Sequence, residues 1–167
     1  MKKYFSLLVF TTALVNAENW PQFRGPNGAG ISTQKGIPIK WTAKDYVWQV
    51  KLPGIGHSSP IVWEDRVIVT SAANKGEKRF IECYRADTGK PVWSEELGGN
   101  THHKHGLNSF ASSTPVTDGK MVYVSWGDND EYFIVAHDFK NGKELWRTQL
   151  GASLSKHGHG TATSPVL

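Results

Sequence analysis

Cysteine is almost missing from this sequence. Cys83 stands alone, so no intrachain disulfide can form, and the residue reads as a small apolar side chain buried in a strand rather than as a reactive thiol. No cysteine follows the apolar run near the start, which leaves no sulfur for the lipid attachment of a bacterial lipoprotein. Basic runs are missing too. Lys and Arg are scattered singly among acidic residues, so there is no cationic stripe to follow a phosphate backbone, and nucleic-acid binding is excluded. Apolar runs are short. The longest, Tyr4 to Val15, falls below the roughly 20 residues needed to cross a hydrocarbon core. No long segment carries a sustained helical period, which removes helix bundles and coiled coils from consideration.

What is present begins with a secretory signal. Lys2 and Lys3 precede the apolar run, and Val15-Asn16-Ala17 puts small or short residues where a signal peptidase cuts. Residues 1–17 are therefore expected to be removed after Ala17. The product is expected to be periplasmic or secreted, with no stable membrane insertion. Loss of the two lysines also removes two units from the formal charge of +4, so part of the basic character belongs to the signal.

The rest is rich in Gly (17), Pro (8) and Trp (7) among short Val/Ile/Tyr/Phe runs, a composition of turns and strands. Trp-x-x-x-Leu recurs as Trp48 to Leu52, Trp93 to Leu97 and Trp146 to Leu150. Ser59-Pro60, Thr114-Pro115 and Ser164-Pro165 recur in the same order, each opening an apolar run. One unit of about fifty residues is being reused. Within it four strands are expected, illustrated by Pro60 to Trp63, Arg66 to Ser71, Arg79 to Arg85 and Pro91 to Leu97. Glu64-Asp65 and Asp118-Gly119 supply the first turn, Asn74-Lys75-Gly76 or Gly127-Asp128-Asn129-Asp130 the second, and Asp87 to Lys90 or Lys140 to Lys143 the third. Four antiparallel strands per repeat describe a propeller blade. The fold class is all-β, a partial β-propeller of four-stranded antiparallel blades. Residues 18–47 form an extended strap, and residues 48–167 form the incomplete propeller. Its blades are expected at 57–97 and 111–150, with a third begun at 161 and Trp48 to Leu52 as an orphan outermost strand. Rings of this kind close with about seven or eight blades, so the chain reads as an N-terminal fragment.

A lone blade leaves both faces of its sheet open, so a large planar indole at one point per blade is expected to fill the wedge between neighbours. Trp93 and Trp146 are assigned this role, with Gly89 and Gly142 in the adjoining turns.

The segment Ala136-His137-Asp138-Phe139-Lys140-Asn141-Gly142-Lys143-Glu144-Leu145-Trp146 resembles the tryptophan-docking repeat of pyrroloquinoline-quinone (PQQ) dehydrogenases, Ala-x-Asp-x-x-Thr-Gly-Lys-x-x-Trp, with Asn141 at the Thr position. A looser copy has Cys83 at the Ala position and Arg85 at the Asp position, while Thr88, Gly89, Lys90 and Trp93 match. The stretches Asn19 to Gly28 and Gly56-His57-Ser58-Ser59-Pro60 are similar to exported quinoprotein-like propellers of planctomycete-type bacteria. The resemblance implies a fold and not a chemistry. It covers quinone-dependent alcohol and sugar dehydrogenases and also the non-enzymatic lipoprotein of the outer-membrane barrel-assembly machinery. In the dehydrogenases it implies a quinone in the central channel with calcium held by carboxylate and amide groups, often beneath an adjacent cysteine pair. None of those ligands maps onto this sequence.

Several polar sets precede the inner strands. His57 comes before the first, His102, His103 and His105 before the second, and His157 and His159 before the third. Converging imidazoles are a weak metal candidate, against loop solvation or channel hydrogen bonding. Ser58-Ser59, Asn108-Ser109, Ser112-Ser113-Thr114, Thr161 and Thr163-Ser164 either orient a polar ligand at a channel or satisfy backbone groups at strand ends. No set orders a nucleophile, a base and an orienting acid. Trp20, Phe23 and Arg24 are expected to pack in the strap over the blades it crosses.

The reading is therefore an exported, non-catalytic scaffold that binds a macromolecule or a polar ligand, with His57, Ser58, Asn108, Ser109, His157 and His159 as the ligand face. Its expected partner is a protein or polar ligand of the cell envelope. The alternative is a PQQ- and calcium-dependent dehydrogenase whose cofactor residues lie mainly elsewhere in a longer chain.

Overall fold

The computed structural model describes residues 18–128, 131–152 and 158–167. The expected signal segment 1–17, Asn129 and Asp130 of the expected turn, and His157 lie outside the described residues.

Two four-stranded antiparallel sheets follow one another along the chain. The first holds β1 (Ile61–Trp63), β2 (Arg66–Ala73), β3 (Lys78–Arg85) and β4 (Pro91–Gly98), in that spatial order. The second holds β5 (Val116–Thr117), β6 (Met121–Asp128), β7 (Glu131–Asp138) and β8 (Glu144–Ala152), again in order. Apart from single 3-10 turns at Pro26–Gly28, Ala43–Asp45 and Asn74–Gly76, no helix occurs among the described residues. The fold is all-β, as two consecutive blades of a propeller.

The turns explain why the strands stop where they do. In the first sheet Arg85 N–H donates to the Lys90 carbonyl (2.8 Å), and Gly89 N–H donates to Arg85 (2.9 Å). In the second, Asp138 N–H donates to Lys143 (2.8 Å) and Gly142 N–H to Asp138 (2.9 Å). Gly89 (φ 66) and Gly142 (φ 79) both hold a left-handed backbone that a Cβ would strain. The match to the repeat at Asp138 and the departure at Arg85 have a local answer. Asp138 Oδ1 accepts the Lys140 and Asn141 N–H groups, whereas Arg85 reaches Asp87 (2.9 Å) and Asp65 through its guanidinium.

The core lies between the sheets. Ile61, Ile68, Ile81, Cys83 and Trp93 from the first sheet meet Val122, Val124, Trp126, Phe133 and Val135 from the second. Burial pushes the Cys83 thiol up to about 12, so the thiolate needed for reaction is scarce.

Indoles sit over the glycines of the turns that close the sheets. A Cβ on Gly142 would meet the Trp93 ring at 2.5 Å, and one on Gly89 would meet the Trp48 ring at 2.7 Å. Each indole also donates to the carbonyl three residues before its glycine, Trp48 to Ala86 (2.8 Å) and Trp93 to Phe139 (3.0 Å). Trp93 is 8% exposed, but Trp146 is 41% exposed. The expectation of core packing thus fails for Trp146 in this structure, because no turn among the described residues lies over it.

One further expectation changes. Residues 48–52 form no strand, since no described neighbour offers them a ladder; Trp48 is held by its side chain instead. The strap is tied to both sheets at Trp20 and Pro21. Trp20 forms a two-bond bridge with Val62 (2.7 and 2.9 Å), and Thr117 N–H donates to the Pro21 carbonyl (3.0 Å). It therefore lies along the inner edges of both sheets, where the short β1 and β5 leave backbone groups unpaired.

Candidate functional site

Antiparallel strands deliver each sheet's connections to two opposite ends. The turns at 64–65, 86–90, 118–120 and 139–143 share one end. At the other lie the β2–β3 turn, residues 53–60, the β4–β5 connection from 99 to 115, and residues 158–163. Every described histidine singled out in the sequence falls at this second end.

The recurring hydroxyls act first as fasteners between successive units. Ser59 N–H donates to Thr114 Oγ1 (3.0 Å), and Thr114 N–H donates to Ser164 Oγ (2.9 Å). Thr70 Oγ1 donates to the Ser113 carbonyl (3.4 Å), and Ser125 Oγ to the Thr163 carbonyl (3.0 Å). Residues 163–164 thus take the seat on the second sheet that residues 113–114 take on the first. Ser58 Oγ donates to the Thr70 carbonyl (3.0 Å), and Ser109 Oγ accepts the His57 N–H (3.1 Å).

Asn108 organises the connection. Its N–H donates to the His105 carbonyl (2.9 Å), its Nδ2 to the His159 carbonyl (2.6 Å), and its Oδ1 accepts from Ser112 Oγ (2.5 Å). Two clefts meet at His57 and Asn108. One, of about 440 Å³, is lined by Phe23, Ser112, Thr114, Ala162, Ser164 and Val166 besides these two. The other, of about 380 Å³, runs from Ile55 and Ala72–Gly76 to Lys104, Gly106, Ser109 and Phe110. Both volumes fall in the range of small-ligand sites.

The histidines divide. His105 and His159 rings lie 5.2 Å apart, and His105 Nδ1 accepts the Leu107 N–H (3.1 Å). That bond puts the proton of the neutral ring on Nε2, which opposes ligation of a metal there. His102 packs edge-on against Phe110 at 5.0 Å. His103 lies against Gly158. Among the described residues no three His, Cys, Asp or Glu side chains group closely enough to hold a metal ion.

Arg79 and His137 are buried charged or titratable groups that the sequence reading did not single out. Arg79 is 1% exposed, lies 5.6 Å from the Trp126 ring centroid, and reaches Asp128 Oδ1 at 3.4 Å. Burial lowers its pKa. Asp128 also accepts the Asn100 N–H (2.7 Å), so this pair pins the start of the β4–β5 connection to the second sheet. His137 is fully buried and bonds the Gly142 carbonyl through Nδ1 (2.8 Å), with burial pulling its pKa down. The sequence signal for Arg79 was only its place in a strand with alternating neighbours.

The family model described as outer membrane protein assembly factor BamB, PQQ_2, matches residues 45–167. The chain belongs to this family. No curated protein matches it. Among solved structures, a europium-containing methanol dehydrogenase superposes on 55% of this chain with a TM-score of 0.41 and 17% identity. The quinohemoprotein alcohol dehydrogenase ADHIIG from Pseudomonas putida HK5 superposes on 57% with a TM-score of 0.38 and 22% identity. This chain spans 15% and 13% of those two proteins.

Membership in the PQQ_2 family raises the question of a quinone with calcium, and the inner cleft does not fit them. A calcium ion takes six to eight oxygens, carboxylates prominent among them. Among the described residues, the cleft lined by His57, Asn108, Ser112, Thr114 and Ser164 offers no carboxylate, and no Lys or Arg to meet an anionic quinone.

Proposed function

We propose that this member of the PQQ_2 family is an exported, non-catalytic binding scaffold that engages an envelope protein through the end of its sheets carrying His57, Asn108 and the β4–β5 connection. The observation that carries this reading is the convergence of two clefts on one His–Asn wall, at the end where every long connection gathers. The hydroxyls beside that wall are spent on fastening one sheet to the next, which suits a rigid platform better than a nucleophile. Removal of residues 1–17 and action in the periplasm or outside the cell belong to the same proposal, and agree with the family's description as an assembly factor. The matching indole–glycine contacts are read as the docking units of this platform, with Trp146 presenting a third.

A photo-crosslinking residue placed at Leu107, which is 84% exposed, tests the proposal in cells. A discrete protein adduct is expected there and none from Asn141 at the opposite end. Adducts from Asn141 alone would overturn the choice of face. Dye-coupled oxidation of alcohols or sugars after addition of pyrroloquinoline quinone and calcium would overturn the non-catalytic reading.

A further inference from the structure

The cleft between residues 55–57 and the β4–β5 connection has charge of one sign. Lys75 lines it from the β2–β3 turn and Lys104 from the connection, with His57 and Asn108 also on its wall, and among the described residues no Asp or Glu lines it. Neither lysine has an ion-pair partner among the described residues. Lys104 Nζ lies 5.3 Å from the Phe110 ring centroid and 3.4 Å from the His105 carbonyl, so its ammonium is held at the cleft and not free to sweep. Asn74 and Ser109 add polar edges, and the apolar part of the lining is Ile55, Ala72, Ala73 and Phe110. Ile55 (78% exposed) and Leu107 (84% exposed) continue that apolar surface outward.

The rim is also strained. Lys75 (φ 55) holds a left-handed backbone that its Cβ resists, beside Asn74 (φ 49), a residue type that tolerates it. A glycine at 75 would relieve it. The lysine therefore adds to this turn only its charged side chain, and strain of this kind gathers at ligand contacts.

Two ammonium groups without a carboxylate partner among the described residues, flanking an apolar floor, complement carboxylates that flank a large apolar side chain. The apolar surface continuing past the cleft calls for an extended ligand rather than a small free anion. We infer that this cleft binds an acidic-apolar peptide segment of a partner protein, its carboxylates at Lys75 and Lys104 and its apolar side chain against Ile55, Ala72 and Phe110. The inference rests on the binding-scaffold reading and names the chemistry of the partner.

The test uses the full chain and a fluorescently labelled peptide carrying Asp-Leu-Glu-Phe-Asp between Gly-Ser flanks, followed by anisotropy. Binding is expected to weaken roughly ten-fold or more in the Lys75→Glu, Lys104→Glu double variant and with added salt. It is expected to be unchanged in Lys140→Glu, at the opposite end. Lys75→Gly is expected to weaken binding while leaving the thermal midpoint no lower than the parent's, which separates loss of the ammonium from loss of the fold. Equal binding of a peptide with Lys in place of each acidic residue would overturn the inference. So would parent-like binding by the double variant, or competition by free glutarate at the same concentration as the peptide. A Leu107 adduct in cells together with no peptide binding would leave the scaffold reading standing and remove this one.

Discussion

Trp93 of the first sheet and Gly142 of the second form one contact in which shape and hydrogen bonding agree. The indole occupies the space a Cβ would need, and its N–H donates to Phe139, three residues earlier. Trp48 repeats the relation with Gly89 and Ala86. A repeated pair of this kind makes the interface between sheets specific in register, because the flat ring and the bare turn must arrive together.

Substitution at the turn is therefore expected to be costly. Gly142→Ala adds a methyl 2.5 Å from the Trp93 ring at a φ of 79°, and should lower unfolding free energy by about 2 kcal/mol or more. Gly106→Ala, which meets nothing within 4 Å, should stay within about 0.5 kcal/mol of the parent. Urea denaturation of both variants measures the difference. Equal midpoints would mean that the contact does not bear on stability.

The hydroxyl fasteners make a second prediction. Thr114→Val keeps the shape but removes the acceptor for the Ser59 N–H, leaving a donor unpaired at the junction of the sheets. The expected cost is about 1–3 kcal/mol. Thr101→Val, at an exposed site, should be nearly neutral. The same denaturation series decides between them.

The repeat was legible in the sequence because its markers are residues with strong local meaning. Glycine at Gly89 and Gly142 marks a left-handed turn, and Trp93 and Trp146 mark a fixed point in the outer strand, so strand order and antiparallel pairing followed. What was not legible depended on neighbours distant in the chain. Residues 48–52 carry the same pattern as β4 but have no ladder partner among the described residues, so pattern alone overstated them. Trp20 pairs with Val62 because β1 has an unpaired inner edge, which no local rule reveals. Arg79 is buried because Trp126 and Asp128 of the next sheet close over it. At the candidate site, the sequence gathered His57, Asn108 and the hydroxyls in one region, but it did not show which hydroxyls were spent between sheets. Lys75 was read only as part of a turn, and Lys104 was not singled out.

Buried His137 gives a pH-dependent prediction. Burial lowers its folded-state pKa below the ordinary value, near 6.5 in an unfolded chain. The unfolded state then takes up the proton first. The stability that neutral His137 contributes is fully present above that value, and is lost as pH falls through it toward the lower folded pKa. His137→Asn should flatten the loss of urea midpoint between about pH 8 and pH 5. Identical slopes in parent and variant would assign that loss to other groups.

The most direct measurement is hydrogen exchange of the indole N–H groups by nuclear magnetic resonance. Because Trp48 and Trp93 donate to carbonyls of the neighbouring turn and Trp146 stands half exposed, the first two should exchange slowly and the third quickly. Exchange at Trp93 as fast as at Trp146 would contradict the packing of one sheet on the next through these rings.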